Sequence, residues 1–362
     1  MGTLLNDVVI VDLSTVVSGP FAVRMLTDQG AQVIKVEAPG LGDVARYMGS
    51  NRNGVSAMYA TCNRGKDIRT IDLKTSDGLD EVLELLDSAD MVVQNFRPGA
   101  MARMGLGWDT LHARNPELIC LSISGFGPEG PMAGFRVYDP IIQAAAGICD
   151  SQVDPSTGGP FLFQGVLVDK VTSLYAAQAA FAALLDRAQQ RLATGTSEGT
   201  HVEVSMFDSA LHFLWPDGMY NHTFTQADGV DTWPDYSAFY RLSTAGGGHL
   251  AYSVVSDDEM TGALRALGLD HLFDDPRFSS RGERVTRRDE LLEMIEAAVN
   301  ASPDLDALLA TLWAHDVPAS RVEDRAGLAT HPQVVANNSM QIVDFQPTGP
   351  LHQAAPVFTV GD

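Results

Sequence analysis

Short apolar runs alternate with helix-like segments through the first half of the chain, and this alternation limits the fold more than any other property. Val8-Val9-Ile10-Val11-Asp12-Leu13 and Val33-Ile34-Lys35-Val36-Glu37 are nearly continuous apolar runs, the pattern of strands covered on both faces. Between them Ser18-Gly19-Pro20 opens a helix over Phe21 to Asp28, and Gly30 closes it, with proline just inside the start and glycine just past the end. The alternation returns with a helix from about Leu79 to Ala89, a strand at Met91–Gln94, a helix near Asp109 to Arg114 and a strand at Leu118–Ser122. A long helix from Asp169 to about Arg187 precedes another strand at His201–Val204. Repeated βαβ units predict an α/β fold with a doubly wound sheet.

Ligands of such sheets bind beyond the carboxyl ends of the strands. The loops that follow Leu13, Glu37, Gln94 and Ser124 are therefore the places to look. The first reads Ser14-Thr15-Val16-Val17-Ser18-Gly19-Pro20 and lacks the Gly-x-Gly-x-x-Gly that a dinucleotide needs. Glu37 ends the second strand, where a ribose-binding acid would stand, but without those glycines neither a nicotinamide nor a flavin is expected.

The chain has 362 residues, 45% of them hydrophobic, enough for one large or two unequal domains. Its formal charge of −22 opposes nonspecific binding to nucleic acid or an anionic membrane. No stretch reaches the roughly 18 apolar residues of a membrane span. The start, Met1-Gly2-Thr3-Leu4-Leu5-Asn6-Asp7, carries neither a basic signal-peptide region nor a myristoylation pattern. Cys62, Cys120 and Cys149 are far apart and suit reduced thiols. These features together predict a cytoplasmic protein. The nine histidines form no ligand spacing with each other or with cysteine, so no protein-held metal is expected.

Asp169 stands between the apolar run Phe161–Val168 and the long helix. An acid there either caps the helix, as Asp commonly does, or performs chemistry in a dry setting; the residues alone leave both open. Gln94-Asn95-Phe96-Arg97-Pro98-Gly99 and Arg136-Val137-Tyr138-Asp139-Pro140 lie next to predicted strand ends. With only 24 basic residues in the chain, Arg97, Arg103 and Arg136 in such places fit an anion site.

Beyond about Gly229 the composition changes. Aromatic and acidic residues, a hairpin-like Phe239–Leu242 and His249–Ser253 around Gly246-Gly247-Gly248, and helices near Glu259 to Leu267 and Arg288 to Asn300 predict a smaller domain. The triple glycine reads as a turn between strands. Expected boundaries are a large α/β part at 1–225, a small α+β domain at 226–328 and a closing segment at 329–362.

Taken in order, Val11-Asp12-Leu13-Ser14, Ser18-Gly19-Pro20, Gly30–Glu37, Asn63-Arg64-Gly65-Lys66, Ile71-Asp72-Leu73-Lys74, Gln94–Gly99, Ser122–Gly127 and Tyr138-Asp139 resemble the family III CoA-transferases. That family includes formyl-CoA transferase and carnitine CoA-transferase and shares its fold with α-methylacyl-CoA racemase. The resemblance spans nearly the whole chain. It implies a Rossmann-like large domain, a small α+β domain, and an interlocked homodimer in which the last residues rejoin the large domain. It implies that acyl-CoA and a small carboxylic acid are the substrates, with Asp169 as the nucleophile that carries CoA as a thioester. Tyr138 and Asp139 match the family's aromatic and acid near that nucleophile. Val16, Val17 and Ser18 match the wall beside the thioester, where their N–H groups are candidate oxyanion donors. Ile71 and Lys74 match residues near the adenosine; Asn95, Phe96 and Arg97 match the loop along the diphosphate and pantetheine; Arg103 and Arg136 match basic residues that face the phosphates.

The chain departs from parts of the family. Oxalate-using members carry glutamine at the place of Val17 and a basic residue at that of Ala38, and the glycine-rich flap of formyl-CoA transferase is absent, so oxalate and formate are not implied. Racemase members have histidine at the place of Tyr138 and a glutamate near Ser256. An acyl-CoA isomerase and a CoA-binding dimer without turnover are the alternatives. Relatives continue past Asp362, so the chain reads as short at its end.

Overall fold

A computed structural model describes residues 4–154, 156–226, 228–234 and 240–358. Phe239 of the expected hairpin and residues 1–3 lie outside the described residues. The chain divides into two compact units: residues 1–216 with 335–362, and residues 217–334.

The first unit is built on a six-stranded parallel sheet. Its strands are β1 (Val9–Asp12), β2 (Gln32–Glu37), β3 (Asp67–Thr70), β4 (Met91–Gln94), β5 (Ile119–Ser124) and β6 (His201–Ser205). They lie in the order β3-β2-β1-β4-β5-β6, so strand order reverses between β1 and β4. Side chains alternate across the sheet. Ile10, Val33, Met91, Val93, Ile119 and Leu121 enter one apolar cluster, whereas Val11, Val36, Val92 and Cys120 enter another on the opposite face. Two-sided burial explains why these strands read as continuous apolar runs. β3, with Asp67 and Arg69 exposed to varying degrees at the edge, has no such run and is a strand the apolar pattern does not announce.

Helix α1 (Ser18–Thr27) follows β1 and packs on the long helix α2 (Val168–Thr194). Ala176, Ala180 and Ala183 of α2 are buried, and such small side chains let neighbouring helices approach closely. The run Phe161–Leu167 before α2 is a loop rather than a strand: the aromatic rings of Phe161 and Phe163 are partly exposed, and the Phe163 N–H is held by the side chain of Gln143 at 3.0 Å instead of a sheet neighbour. Near the carboxyl end of the chain, Met340–Phe345 pairs antiparallel with Gly349–Ala354. Arg24 and Arg64 both donate to the Ala354 carbonyl, at 3.1 and 2.9 Å, and Phe345 sets its ring edge-on to Tyr59.

The second unit holds a three-stranded antiparallel sheet, with Gly248–Tyr252 between Arg241–Ala245 and Ala319–Arg321. Helices Asp257–Ala266, Arg288–Asn300 and Leu305–Ala314 cover it with an apolar core of their own. Gly246 and Gly247 have φ of 51° and 77°, the backbone of the predicted turn. Ser256 caps the first of these helices in a reciprocal capping box with Glu259.

Candidate active site

The loops after β1 and β4 meet where strand order reverses, and one side chain joins them. Asn95 accepts the Thr15 N–H at 2.8 Å and donates to the Thr15 carbonyl at 2.8 Å. Its amide is thereby committed to fixing the β1 loop. Gly19 is required at the start of α1, because a Cβ there would come within 2.2 Å of the Ser14 Cβ. Asp12 accepts both the N–H and the hydroxyl of Ser14, and Lys66 binds Asp12 at 2.8 Å from within the protein. The loop is therefore held from several sides.

Asp169 is the second residue of α2, and Val168 precedes it in the helix. It does not act as the N-cap that a sequence reading allows; that position is Leu167, and no side chain caps the helix. The Asp169 side chain is 8% exposed. Burial, and then the charge of Asp139, push its carboxyl up to about 6, against hydrogen bonds from the Ser18 hydroxyl and backbone N–H that oppose the rise. Asp139 is buried behind it and accepts the Asp169 backbone N–H at 2.8 Å. Gln143, one turn further along the helix Asp139–Ala145, donates to the other Asp139 oxygen at 2.5 Å. Ser173 ties the two helices together, donating to the carbonyls of Ser18 and Asp169, both at 2.8 Å. The carboxylate thus faces the first turn of α1 while sitting in the first turn of its own helix, and both helix ends favour negative charge.

Five acids are buried among the described residues: Asp12, Glu37, Asp43, Asp139 and Asp169. The first three have cation partners in Lys66, Arg46 and Lys35. Glu37 is further engaged by Tyr59 and the Asp43 N–H, which leaves it no part in binding a ribose. Of the two acids without a cation, only Asp169 lines a cleft.

That cleft, about 420 Å³, is bordered by Val16, Ser18, Asn95, Phe96, Arg97, Arg136, Tyr138 and Asp169, together with Val44, Ser124, Phe135, Val137 and others. Tyr138 is 61% exposed at its edge. Eight of the residues singled out from the sequence therefore share one space. The remaining five lie elsewhere. Val17 is buried under the loop, and Asp139 stands behind Asp169. The Ile71 side chain is buried in the apolar cluster on one face of the sheet, so it packs the core. Lys74 is exposed just past β3, and Arg103 is exposed in the short helix Ala100–Arg103 that follows the β4 loop.

Two donors proposed for an oxyanion are already in use. The Val16 N–H donates to Asp43 at 3.0 Å, and the Ser18 N–H to Asp169. The Val17 N–H has no hydrogen-bond partner among the described residues. Asp43, Gln143 and Ser173 carry no motif that marks them in the sequence, because their contacts span 27, 20 and 155 residues.

Side-chain cations complete the picture. In the first unit, among the described residues, Lys74, Arg97, Arg103, Arg136 and Lys170 make neither an ion pair nor a side-chain hydrogen bond within the chain. Four of these five are residues singled out from the sequence, Arg97, Arg103 and Arg136 as anion contacts and Lys74 by its match near the adenosine. In an acidic chain whose other arginines are mostly paired, this concentration leaves unneutralised positive charge beside the cleft and along the neighbouring strand ends.

No group of three or more His, Cys, Asp or Glu side chains that could hold a metal occurs among the described residues, and no described helix is long and apolar enough to cross a membrane.

Comparison with known proteins gives a consistent result. The sequence profile described as CoA-transferase family III matches residues 5–362. The acetyl-CoA:oxalate CoA-transferase of Acetobacter aceti is 32% identical over 350 residues, covering 92% of this chain and 85% of the relative. The succinate–glutarate CoA-transferase of Agrobacterium fabrum is 31% identical over 342 residues, covering 92% and 83%. Among solved structures, a CAIB/BAIF family protein from Brucella suis superposes with a TM-score of 0.84 at 30% identity, covering all of this chain and 94% of the other.

Proposed function

The chain belongs to CoA-transferase family III, and on that premise we propose that it moves CoA from an acyl-CoA thioester to a carboxylic acid through a covalent thioester on Asp169. The observation that carries this reading is a buried carboxylate that has no cation partner, opens onto a cleft and is pushed up to about 6. At pH 7 such a group is about nine-tenths ionised. It is also more basic than an ordinary aspartate, and so a better oxygen nucleophile.

The steps balance without a proton. An Asp169 oxygen adds to the acyl carbonyl, the C–S bond breaks, and CoA leaves as thiolate from a mixed anhydride. The thiolate then adds to the aspartyl carbonyl; the donor acid departs as carboxylate, and CoA is held as the aspartyl thioester. The acceptor carboxylate attacks that carbonyl and expels thiolate. Finally the thiolate attacks the acceptor's carbonyl in this second anhydride, giving the new acyl-CoA and free Asp169. Each negative charge lost is replaced by another in the same place, so fixed donors serve every step.

The residues divide the work. Arg97 and Arg136 supply charge in the cleft for the phosphates of CoA, with Arg103 and Lys74 further along the strand ends. Phe96 lies along the pantetheine arm. Val16, Val17 and Ser18 form the wall beside the thioester, with the Val17 N–H as the remaining oxyanion donor. Asn95 fixes that wall, and Ile71 packs the core beneath the adenosine end. Asp139 adds to the basicity that burial gives Asp169, and Tyr138 closes the cleft edge against water.

Part of this reading is an interlocked homodimer in the cytoplasm; the exposed Leu174, Leu185, Leu192, Phe213 and Trp215 side chains of α2 and the helix Met206–Gly218 support an apolar surface for association. Light scattering reports the mass directly.

Oxygen labelling tests the covalent step. With ¹⁸O-labelled acceptor acid, one labelled oxygen should stay on Asp169 after a turnover, visible as heavier Asp169 peptide. An unlabelled peptide after complete exchange would overturn the proposal.

A further inference from the structure

The β1 loop holds one residue in a backbone conformation that its side chain resists. Val16 has φ +69°, and for a β-branched residue the left-handed region is a true outlier. Strain of this kind persists only where surrounding structure imposes it. The restraint is visible. The Val16 N–H donates to both oxygens of Asp43, at 3.0 and 3.2 Å. Asp43 is buried, and its Oδ2 lies 3.2 Å from the Nζ of Lys35, which is fully buried as well. Lys35 also donates to the Ser14 carbonyl. One lysine therefore grips the loop at Ser14 and orients the acid that grips it at Val16.

Local structure does not by itself call for this pair. Asp43 does cap the short turn Val44–Tyr47, accepting the Ala45 N–H at 2.9 Å, but serine or asparagine caps as well without a charge. Burying a carboxylate and an ammonium is costly. The feature that the charged pair adds is its hold on Val16, a residue that lines the cleft with Asp169.

We propose that Asp43 is a positioning residue for the transfer reaction: its lysine-balanced carboxylate keeps Val16 left-handed, and so sets the wall beside Asp169 and the adjoining Val17 N–H. The inference rests on the reading that Asp169 carries CoA.

Glycine at position 16 provides the test, because it adopts the left-handed region without steric cost. The rate of CoA adduct formation is measured for the wild type, Val16→Gly, Asp43→Asn and the double variant, with Tm recorded for each. Asp43→Asn is expected to slow the adduct about tenfold or more, Val16→Gly by about threefold or less. In the Val16→Gly background, Asp43→Asn should cost about threefold or less, a departure from additivity that a general loss of stability does not produce. Equal losses in both backgrounds overturn the inference. An Asp43→Asn protein that fails to fold with Val16 but folds with glycine supports it; failure in both backgrounds marks Asp43 as structural and overturns it. Absence of an adduct in the wild type defeats the Asp169 reading itself, and so is distinguishable.

Discussion

Replacing Asp169 by asparagine should stabilise the protein while abolishing turnover, and the gain should depend on pH in a defined way. Its carboxyl is held at about 6 instead of 3.8, a difference worth about 3 kcal/mol at about 1.4 kcal/mol per pH unit. The sign follows from proton linkage. A group whose pKa is raised on folding contributes its full stability below the unfolded value and loses it as pH rises through the folded one. Here the loss runs from about pH 4 to above about pH 6. Asparagine does not titrate, keeps an oxygen for the Ser18 donors, and removes a charge from a buried place beside Asp139. The advantage of Asp169→Asn over the wild type should therefore grow by about 1.4 kcal/mol between about pH 5 and about pH 7.5, then level off. Urea denaturation of both proteins across that range, at constant ionic strength, measures it. A difference that stays flat with pH, or falls toward neutrality, would refute the argument that burial and Asp139 raise this carboxyl.

Other expectations follow from the same geometry. Asp139→Asn removes the smaller of the two raising causes and leaves burial, so the acidic limb of the transfer rate should move below about pH 6; a pH–rate profile reads it. Arg97→Ala and Arg136→Ala should each raise KM for acyl-CoA by roughly tenfold or more and weaken its dependence on salt, whereas Arg281→Ala in the second unit should leave KM unchanged. Gly19→Ala forces a Cβ against Ser14 and should cost about 1–3 kcal/mol, seen as a lower Tm together with slower transfer.

The large-unit sheet was legible because its central strands are buried on two faces. Ile10 and Val11 enter opposite clusters, and that demand leaves an unbroken apolar run. Edge strand β3 escaped because Asp-Ile-Arg-Thr holds a single apolar residue among its four positions. The run Phe161–Leu167, apolar in sequence, forms the loop that leads into α2, so an apolar stretch of that length does not by itself specify an element. Asp169 was legible as an acid at a helix start, but its surroundings were not. The raised carboxyl depends on burial and then on Asp139, thirty residues earlier, and the strained wall depends on Asp43, 27 residues from Val16. Nothing in Val-Val-Ser marks the first valine as left-handed. Ile71 illustrates a different limit: its place in the motif was visible, while its burial in the core follows from the packing of the helix Ser76–Asp87 and its neighbours.

Mass spectrometry of the intact protein after brief exposure to acyl-CoA addresses the central claim most directly. The wild type should gain the mass of one CoA as a thioester, mapped to the Asp169 peptide and discharged by a carboxylic acid, while Asp169→Asn gains nothing. Exchange of CoA between acids by an Asp169→Asn protein, or an adduct on any other residue, would contradict the account.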